Sequence, residues 1–253
     1  MSSNSKTLLV LGATSAVAHA YLRLICAQPE YTQILLLGRN PEKLERVRQD
    51  IGARSSADVK LILADLGRAD QVHATLGKIK SELDGIDECL IAYGMLGDQE
   101  TLQVNPTTIH NLLETNFVSV ALWLEALATE FESQNRGHAV VIGSVAGDRG
   151  RQSNYLYGAT KCGLERVSEG LSHRFASDRE IHFTCIKPGF IESPMTAHLG
   201  PSGPLWASPE QIARIIRRAV KAKRVRVYAP WVWRYILLVI RALPVPIFHR
   251  TKI

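Results

Sequence analysis

Cysteine is scarce in this chain: Cys26, Cys89, Cys162 and Cys185 lie scattered through 253 positions with no close pair. That spacing excludes a disulfide framework and a thiolate metal site, and fits buried thiols in a reducing compartment. Internal repeats and low-complexity tracts are absent. The opening residues, Met1 to Lys6, lack the charged and apolar blocks of a secretory leader, so a cytoplasmic location is expected. Aspartate and glutamate are missing after Glu210, where eleven Lys and Arg follow. The first 210 residues therefore carry 19 basic against 24 acidic side chains, while the last 43 carry +11. Such polarity at one end points to an anionic partner: nucleic acid, a phospholipid surface or a phosphorylated substrate. What is present in quantity is apolar residue, 46% against 21% charged, which excludes a disordered chain. The length suits one domain with a large core.

Short apolar runs alternate with longer amphipathic ones, the pattern of parallel strands joined by crossover helices. Strands are predicted at 7–11, 33–37, 59–63, 86–92, 138–144, 181–187 and 225–229. Helices are predicted at about 15–27 and 41–51, with Asn40 as N-cap and Pro41 in the first turn, and two long ones at 106–132 and 154–177. The expected fold is α/β: one doubly wound, seven-stranded parallel sheet with helices on both faces and ligands at the carboxyl ends of its strands. The Pro- and Gly-rich stretch 189–208 reads as an irregular substrate-covering loop.

Strand one runs into Gly12-Ala13-Thr14-Ser15-Ala16-Val17-Ala18 and a helix, where a dinucleotide pyrophosphate would rest on helix N-terminal amides. Ala16 and Ala18 occupy positions where a glycine-rich pattern has Gly, so the turn alone reads equally as a nucleotide site or as a plain strand-to-helix connection. The end of strand two is Leu37-Gly38-Arg39-Asn40. A carboxylate there would hold a ribose 2′-hydroxyl; Arg39 instead suits a 2′-phosphate and favours NADP(H), set against the plainer reading of a solvated arginine.

The strongest signal is Tyr157-Gly-Ala-Thr-Lys161, because a spacing of four puts phenol and ammonium on one helix face. Moving a tyrosine pKa from about 10 to about 7 takes roughly 4 kcal/mol, and an adjacent lysine cation has the right sign. Ser144, at a predicted strand end, is placed to hydrogen-bond a substrate carbonyl while Tyr157 protonates it. Asn116 sits inside a helix despite its low helix propensity and is a candidate to hold a water in a relay behind Lys161.

Together these residues resemble the short-chain dehydrogenase/reductase family over residues 6–230, with 231–253 as a C-terminal extension. The matching positions are Gly12, Asp65-Leu66, Gly94, Asn116, Ser144, Tyr157, Lys161 and Pro188-Gly189 followed by Ser193. The resemblance implies NADP(H) as cofactor, Asp65 and Leu66 near adenine, and Ala92, Gly94, Pro188, Gly189, Ile191 and Ser193 around the ribose and nicotinamide. The chain departs from the family at Ala16, Ala18 and Ile91-Ala92-Tyr93-Gly94. A narrower resemblance, carried by 93–98, 146–151, 195–199 and the ending 229–250, is to bacterial reductases of decaprenylphosphoryl-2-keto-erythro-pentose and their relatives in surface-polysaccharide synthesis. It implies a keto sugar on a polyprenyl phosphate as substrate, with another ketone or a 3-oxoacyl thioester as the alternative. Association into dimers or tetramers is implied by analogy with the fold.

The segment 231–243 forms a helical candidate about 20 Å long, too short for the roughly 30 Å hydrocarbon core and interrupted by Arg234 and Arg241. With Trp231, Trp233 and Tyr235 it suits peripheral contact with the inner face of a membrane, or burial against the sheet or a subunit. Nucleic acid is the weaker account of the charge, since no recognition motif accompanies it. Arg149 and Arg151 are candidates to hold a substrate phosphate.

Overall fold

Segments such as Leu8-Leu-Val-Leu11 and Ile34-Leu-Leu-Leu37 are apolar without alternation because both faces of their sheet are covered. In the computed structural model, which describes residues 5–178, 180–197, 200 and 203–251, the strands are β1 (Lys6–Leu11), β2 (Tyr31–Gly38), β3 (Asp58–Leu63), β4 (Glu88–Ile91), β5 (Gly137–Ile142), β6 (Ile181–Pro188), β7 (Phe190–Ile191), β8 (Trp206–Ala207) and β9 (Arg226–Ala229). The helices are α1 (Ala16–Ile25), α2 (Pro41–Gly52), α3 (Val72–Glu82), α4 (Gln99–Val104), α5 (Pro106–Leu113), α6 (Ser119–Gln134), α7 (Tyr155–Arg174), α8 (Pro209–Lys221), α9 (Val232–Ala242) and α10 (Val245–Phe248). Seven strands form one parallel sheet in the order β3-β2-β1-β4-β5-β6-β9. The order reverses between β1 and β4, and that switch opens a crevice at the carboxyl ends.

Two cores flank the sheet. One, around Trp123, Leu124, Phe131 and Leu164, packs α3, α6 and α7 on one face; the other, around Tyr21, Leu22, Leu44 and Ile212, packs α1, α2 and α8 on the other. The expected cap of α2 is present, with Asn40 accepting from the Lys43 amide at 2.8 Å. A third, smaller core joins Val145 to Trp233, Leu237 and Ile240 of α9, so the C-terminal segment is anchored on the domain by one stripe of side chains.

Two expectations change. The helix predicted over 106–132 is instead α5 and α6 joined by a π-helical turn, Glu114–Val118, that carries Asn116. A π turn inserts one residue into the α-helical ladder and re-aims a side chain, a change that composition does not encode. The run Pro106–Gln134 is long and apolar enough to cross a bilayer, but half of its apolar window is buried inside the fold, as in a core helix. The loop at 189–208 is not wholly irregular: β7 and β8 pair in parallel, and Phe190 stacks on Trp206 with ring centroids 5.0 Å apart. Residues 198, 199, 201 and 202 of that loop, and 252 and 253 of the extension, lie outside the described residues.

Candidate active site

Apart from Tyr157 and Lys161, candidates for both catalysis and cofactor contact that stand on α7, the candidate cofactor residues follow strand ends at the carboxyl edge of the sheet. Gly12 follows β1, Arg39 follows β2, Asp65 and Leu66 follow β3, Ala92 and Gly94 follow β4, Ser144 follows β5 and Gly189 follows Pro188 at the end of β6. The first turn is built by backbone hydrogen bonds, with the Gly12 and Ala13 amides both donating to Leu37 O at 3.0 Å. Gly12 has φ +87°, and a Cβ there would stand 2.7 Å from the Tyr93 backbone, so no other residue fits. Ala18 is fully buried in the second core, where a helical alanine with negative φ packs as closely as the turn needs. Ser15 is the N-cap of α1 but makes no side-chain cap hydrogen bond, and the first turn holds no acid. The leading amides of α1 therefore remain open beside exposed Thr14 and half-buried Ser15 and Ala16, with Val17 turned into the core.

Arg39 is exposed and makes no ion pair among the described residues. Asp65 is exposed and folds its own turn by accepting from the Gly67 amide at 3.2 Å. Leu66 points into the first core, leaving its backbone at the crevice. Ile191 and Ser193 are held by Thr196, whose hydroxyl donates to the Ile191 carbonyl and receives the Ser193 amide at 3.3 Å.

Ser144 and Tyr157 meet because backbone approaches backbone. A Cβ on Gly158 would lie 2.7 Å from the Ala146 carbonyl oxygen, and one on Gly147 2.8 Å from the Cys162 amide nitrogen. Those two glycines let the turn after β5 seat directly on α7. The Ser144 hydroxyl accepts from the Ala146 amide at 3.1 Å and lies in hydrogen-bond reach of the Tyr157 phenol. Lys161, one turn further along α7, is buried; its Nζ sits 5.7 Å from the centre of the Tyr157 ring and donates to Ile142 O at 2.9 Å.

The electrostatics depart from the expected ones. Desolvation pushes the Tyr157 phenol up to about 12, with the Ser144 hydrogen bond opposing it only in part. Desolvation also brings the Lys161 ammonium down to about 8. Spacing on a helix reports proximity but not dielectric, and in this chain desolvation is the largest cause of the shift in both groups.

Asn116 stands on the π-helical turn between α5 and α6. Its amide is fully buried and spent on one backbone unit, with Nδ2 donating to Met95 O at 2.7 Å and Oδ1 accepting from Met95 N at 2.8 Å. It pins the segment after β4, where a Cβ on Gly94 would lie 3.1 Å from Asn116 Oδ1 and 3.8 Å from Lys161 Nζ. The side chain clamps the segment after β4 beside Lys161. Arg149, a candidate to hold a substrate phosphate, is engaged on the C-terminal segment. Its guanidinium donates to the carbonyls of Ile240 and, at 2.8 Å, of Leu243, and it stacks 3.8 Å over the Phe248 ring. Carbonyls at the end of α9 lack helical partners, and a cation there satisfies them. Arg151 makes no ion pair among the described residues, and desolvation lowers its pKa.

Sequence reasoning missed two features. Lys187, at the end of β6, is buried between Asp148 and Glu165, with Arg226 reaching Glu165 at 2.9 Å and the Tyr228 hydroxyl donating to Asp148 at 2.7 Å. Burial alone would raise the Glu165 carboxyl and lower the Lys187 ammonium; their mutual pairing reverses both. A lysine among apolar strand residues and a glutamate four residues after Lys161 were the available signals. The second is the place of Trp233, grouped in the sequence with Trp231 and Tyr235 as an interfacial residue but buried here, with its indole so close over Gly189 that a Cβ there would come within 1.9 Å of Nε1. It meets Phe190 edge-on at 5.6 Å, making α9 a wall of the site.

Comparison with known proteins agrees with this geometry. The family model for short chain dehydrogenases matches residues 6–202. An uncharacterized oxidoreductase of Mycobacterium tuberculosis is 29% identical over 245 residues, 96% of this chain and 95% of that protein. Carbonyl reductase family member 4 of Xenopus laevis is 28% identical over 219 residues, 84% of this chain and 89% of its own. Among solved structures, a short-chain dehydrogenase from Sphingobium yanoikuyae in complex with NADPH superposes with a TM-score of 0.81 at 20% identity, covering 92% of each chain. One from Burkholderia cenocepacia in complex with NADP gives 0.80 at 19% identity, covering 99% of this chain and 98% of that one. With the family pattern matched over most of its length, and the serine, tyrosine and lysine brought to one crevice, this chain belongs to the short-chain dehydrogenase family of oxidoreductases.

Proposed function

We propose that the protein reduces a ketone to an alcohol with NADPH. The observation that carries this reading is the convergence of Ser144, Tyr157 and Lys161 at the carboxyl edge of the sheet that also presents the uncapped α1 amides and unpaired Arg39. Those groups fit the cofactor: the amides suit a pyrophosphate, and a free guanidinium with no carboxylate at the end of β2 suits a 2′-phosphate. When bound, the reduced nicotinamide supplies the hydride.

The chain's own residues manage the oxygen. Ser144 donates a hydrogen bond to the carbonyl, and Tyr157 releases its phenolic proton to that oxygen as negative charge develops there. Lys161 stabilises the resulting phenolate through its positive charge. A phenol pushed up to about 12 by burial is protonated at neutral pH and can act as an acid toward a more basic developing alkoxide. Full-length protein is expected to consume NADPH in the presence of a suitable ketone. Tyr157→Phe should lower kcat by about 10²- to 10⁴-fold with NADPH binding retained. Equal turnover by the variant would end this reading.

For the substrate, a keto sugar carried on a polyprenyl phosphate at the inner face of the membrane is favoured by the narrower sequence resemblance and by the aromatic wall that Trp233 of α9 adds to the site. The alternative is a 3-oxoacyl thioester or a small ketone, in keeping with the carbonyl reductase relative. Comparing kcat/KM for a polyprenyl-phosphate keto sugar and a 3-oxoacyl thioester separates them. Preference for the thioester would discard the lipid-linked substrate and leave ketone reduction standing.

A further inference from the structure

Helix α9 is apolar on two opposite sides. Trp233, Leu237 and Ile240, at intervals of four and three, form the stripe buried against Val145 and Gly189. On the opposite side Trp231, Tyr235 and Leu238 repeat the same spacing and are exposed, with Trp231 at 71% and Leu238 at 64%. Val239 beside them, and Val245 and Ile247 from the α10 segment, are also exposed. A helix that has already buried one stripe in its own domain has no folding use for a second. Arg234 and Arg241, seven residues apart, flank the exposed stripe on the same edge, and exposed Arg250 follows α10. None of the three makes an ion pair among the described residues. The basic surface continues across Pro230, where Arg214 and Arg218 line a cavity of about 370 Å³ together with Trp206.

We propose that this face docks on an anionic lipid bilayer, with the aromatic and aliphatic stripe in the interfacial layer and the arginines on lipid phosphates. The charge pattern selects that occupant. A second copy of the chain docking through the same face would set cationic rim against cationic rim, and no Asp or Glu follows Glu210 to relieve it. Nucleic acid would leave Leu238, Val239 and Ile247 uncovered. Arg149 fastens the carboxyl end of α9 to the turn that bears Ser144, and Trp233 covers Gly189, so the docking face is the outer side of the helix whose inner side walls the active site. The proposal concerns a surface, and holds whichever ketone is reduced.

The test is sedimentation of the full chain with sucrose-loaded vesicles of neutral phosphatidylcholine, or of phosphatidylcholine mixed with phosphatidylglycerol. Two variants are compared, Arg234→Gln with Arg241→Gln, and Trp231→Ser with Leu238→Ser, each checked for native melting and for unchanged NADPH consumption on a water-soluble ketone. The wild type is expected to pellet with the anionic vesicles only and to be released by salt. Partitioning should fall about fivefold for each arginine removed, and the tryptophan emission that shifts blue on vesicles should do so no longer without Trp231. Any of three results overturns the proposal: wild type left in the supernatant, variants that pellet as well as wild type, or self-association of the wild type that the Ser variant abolishes with no vesicle binding. Because activity on the soluble ketone is read separately, a failed docking result and a failed reductase assignment are distinguishable.

Discussion

At the scale of single residues, burial decides what the catalytic groups do. Lys161, its pKa brought down to about 8, is charged below that pH and neutral above it. Only the cation stabilises the phenolate that proton release leaves on Tyr157, so kcat/KM for ketone reduction should be level near pH 6 to 7 and decline as pH rises through about 8. A rate profile of the free enzyme that stayed flat beyond pH 9 would remove Lys161 from this role. Arg39 gives a second, independent expectation. Charge-assisted hydrogen bonds to a phosphate are worth about 1.5–3 kcal/mol, so Arg39→Ala should raise the KM for NADPH by at least tenfold and leave that for NADH unchanged. Identical effects on the two cofactors would place the guanidinium elsewhere. The types and spacing of Ser144, Tyr157, Lys161 and Arg39 were legible in the sequence because a helix repeat and a strand end fix direction. The clamp by Asn116 on Met95 and the cap by Arg149 on α9 were not, since each joins residues 21 or more than 90 positions apart.

At the scale of elements, the seven strands were legible because each is a short, mainly apolar run bounded by helical periodicity. The π turn and the β7–β8 pair were not, being too short to leave a period. What fixes α7 against its neighbours is equally non-local. Lys187 from β6, Asp148 from the turn after Ser144 and Glu165 from α7 share one buried charge cluster. Removing Lys187 takes away the one cation shared by both carboxylates and leaves Arg226 on Glu165 and the Tyr228 hydroxyl on Asp148 to offset part of a cost of about 3–5 kcal/mol. Lys187→Met should therefore lower the melting temperature by about 10 °C, using the 2–4 °C per kcal/mol expected for a domain this large. It should also lower kcat, because Asp148 lies four residues beyond Ser144 and Glu165 one helical turn beyond Lys161. Unchanged thermal denaturation would show that the packing of Gly147 and Gly158 alone holds the two halves of the site together.

At the scale of the whole molecule, the C-terminal segment works in two directions at once. Its inner stripe completes the domain: Trp233 at 5% exposure, Leu237 and Ile240 bury large side chains on Val145 and Gly189, each contributing about 1.5–3 kcal/mol by burial, with helix ordering offsetting part of it. Its outer stripe contributes nothing to that core. Substitutions on the two faces should consequently have opposite signatures. Trp233→Ala creates a void over Gly189 and should cost about 3–5 kcal/mol, lowering the melting temperature by about 10 °C and kcat with it, since the wall beside the site is lost. Leu238→Ser, on the exposed side, should leave melting within about 2 °C of wild type. Differential scanning calorimetry of the two variants side by side is the measurement. If both melted alike, α9 would not be docked by the Trp233 stripe, and the separation of a site-building face from a solvent-directed one would fail with it.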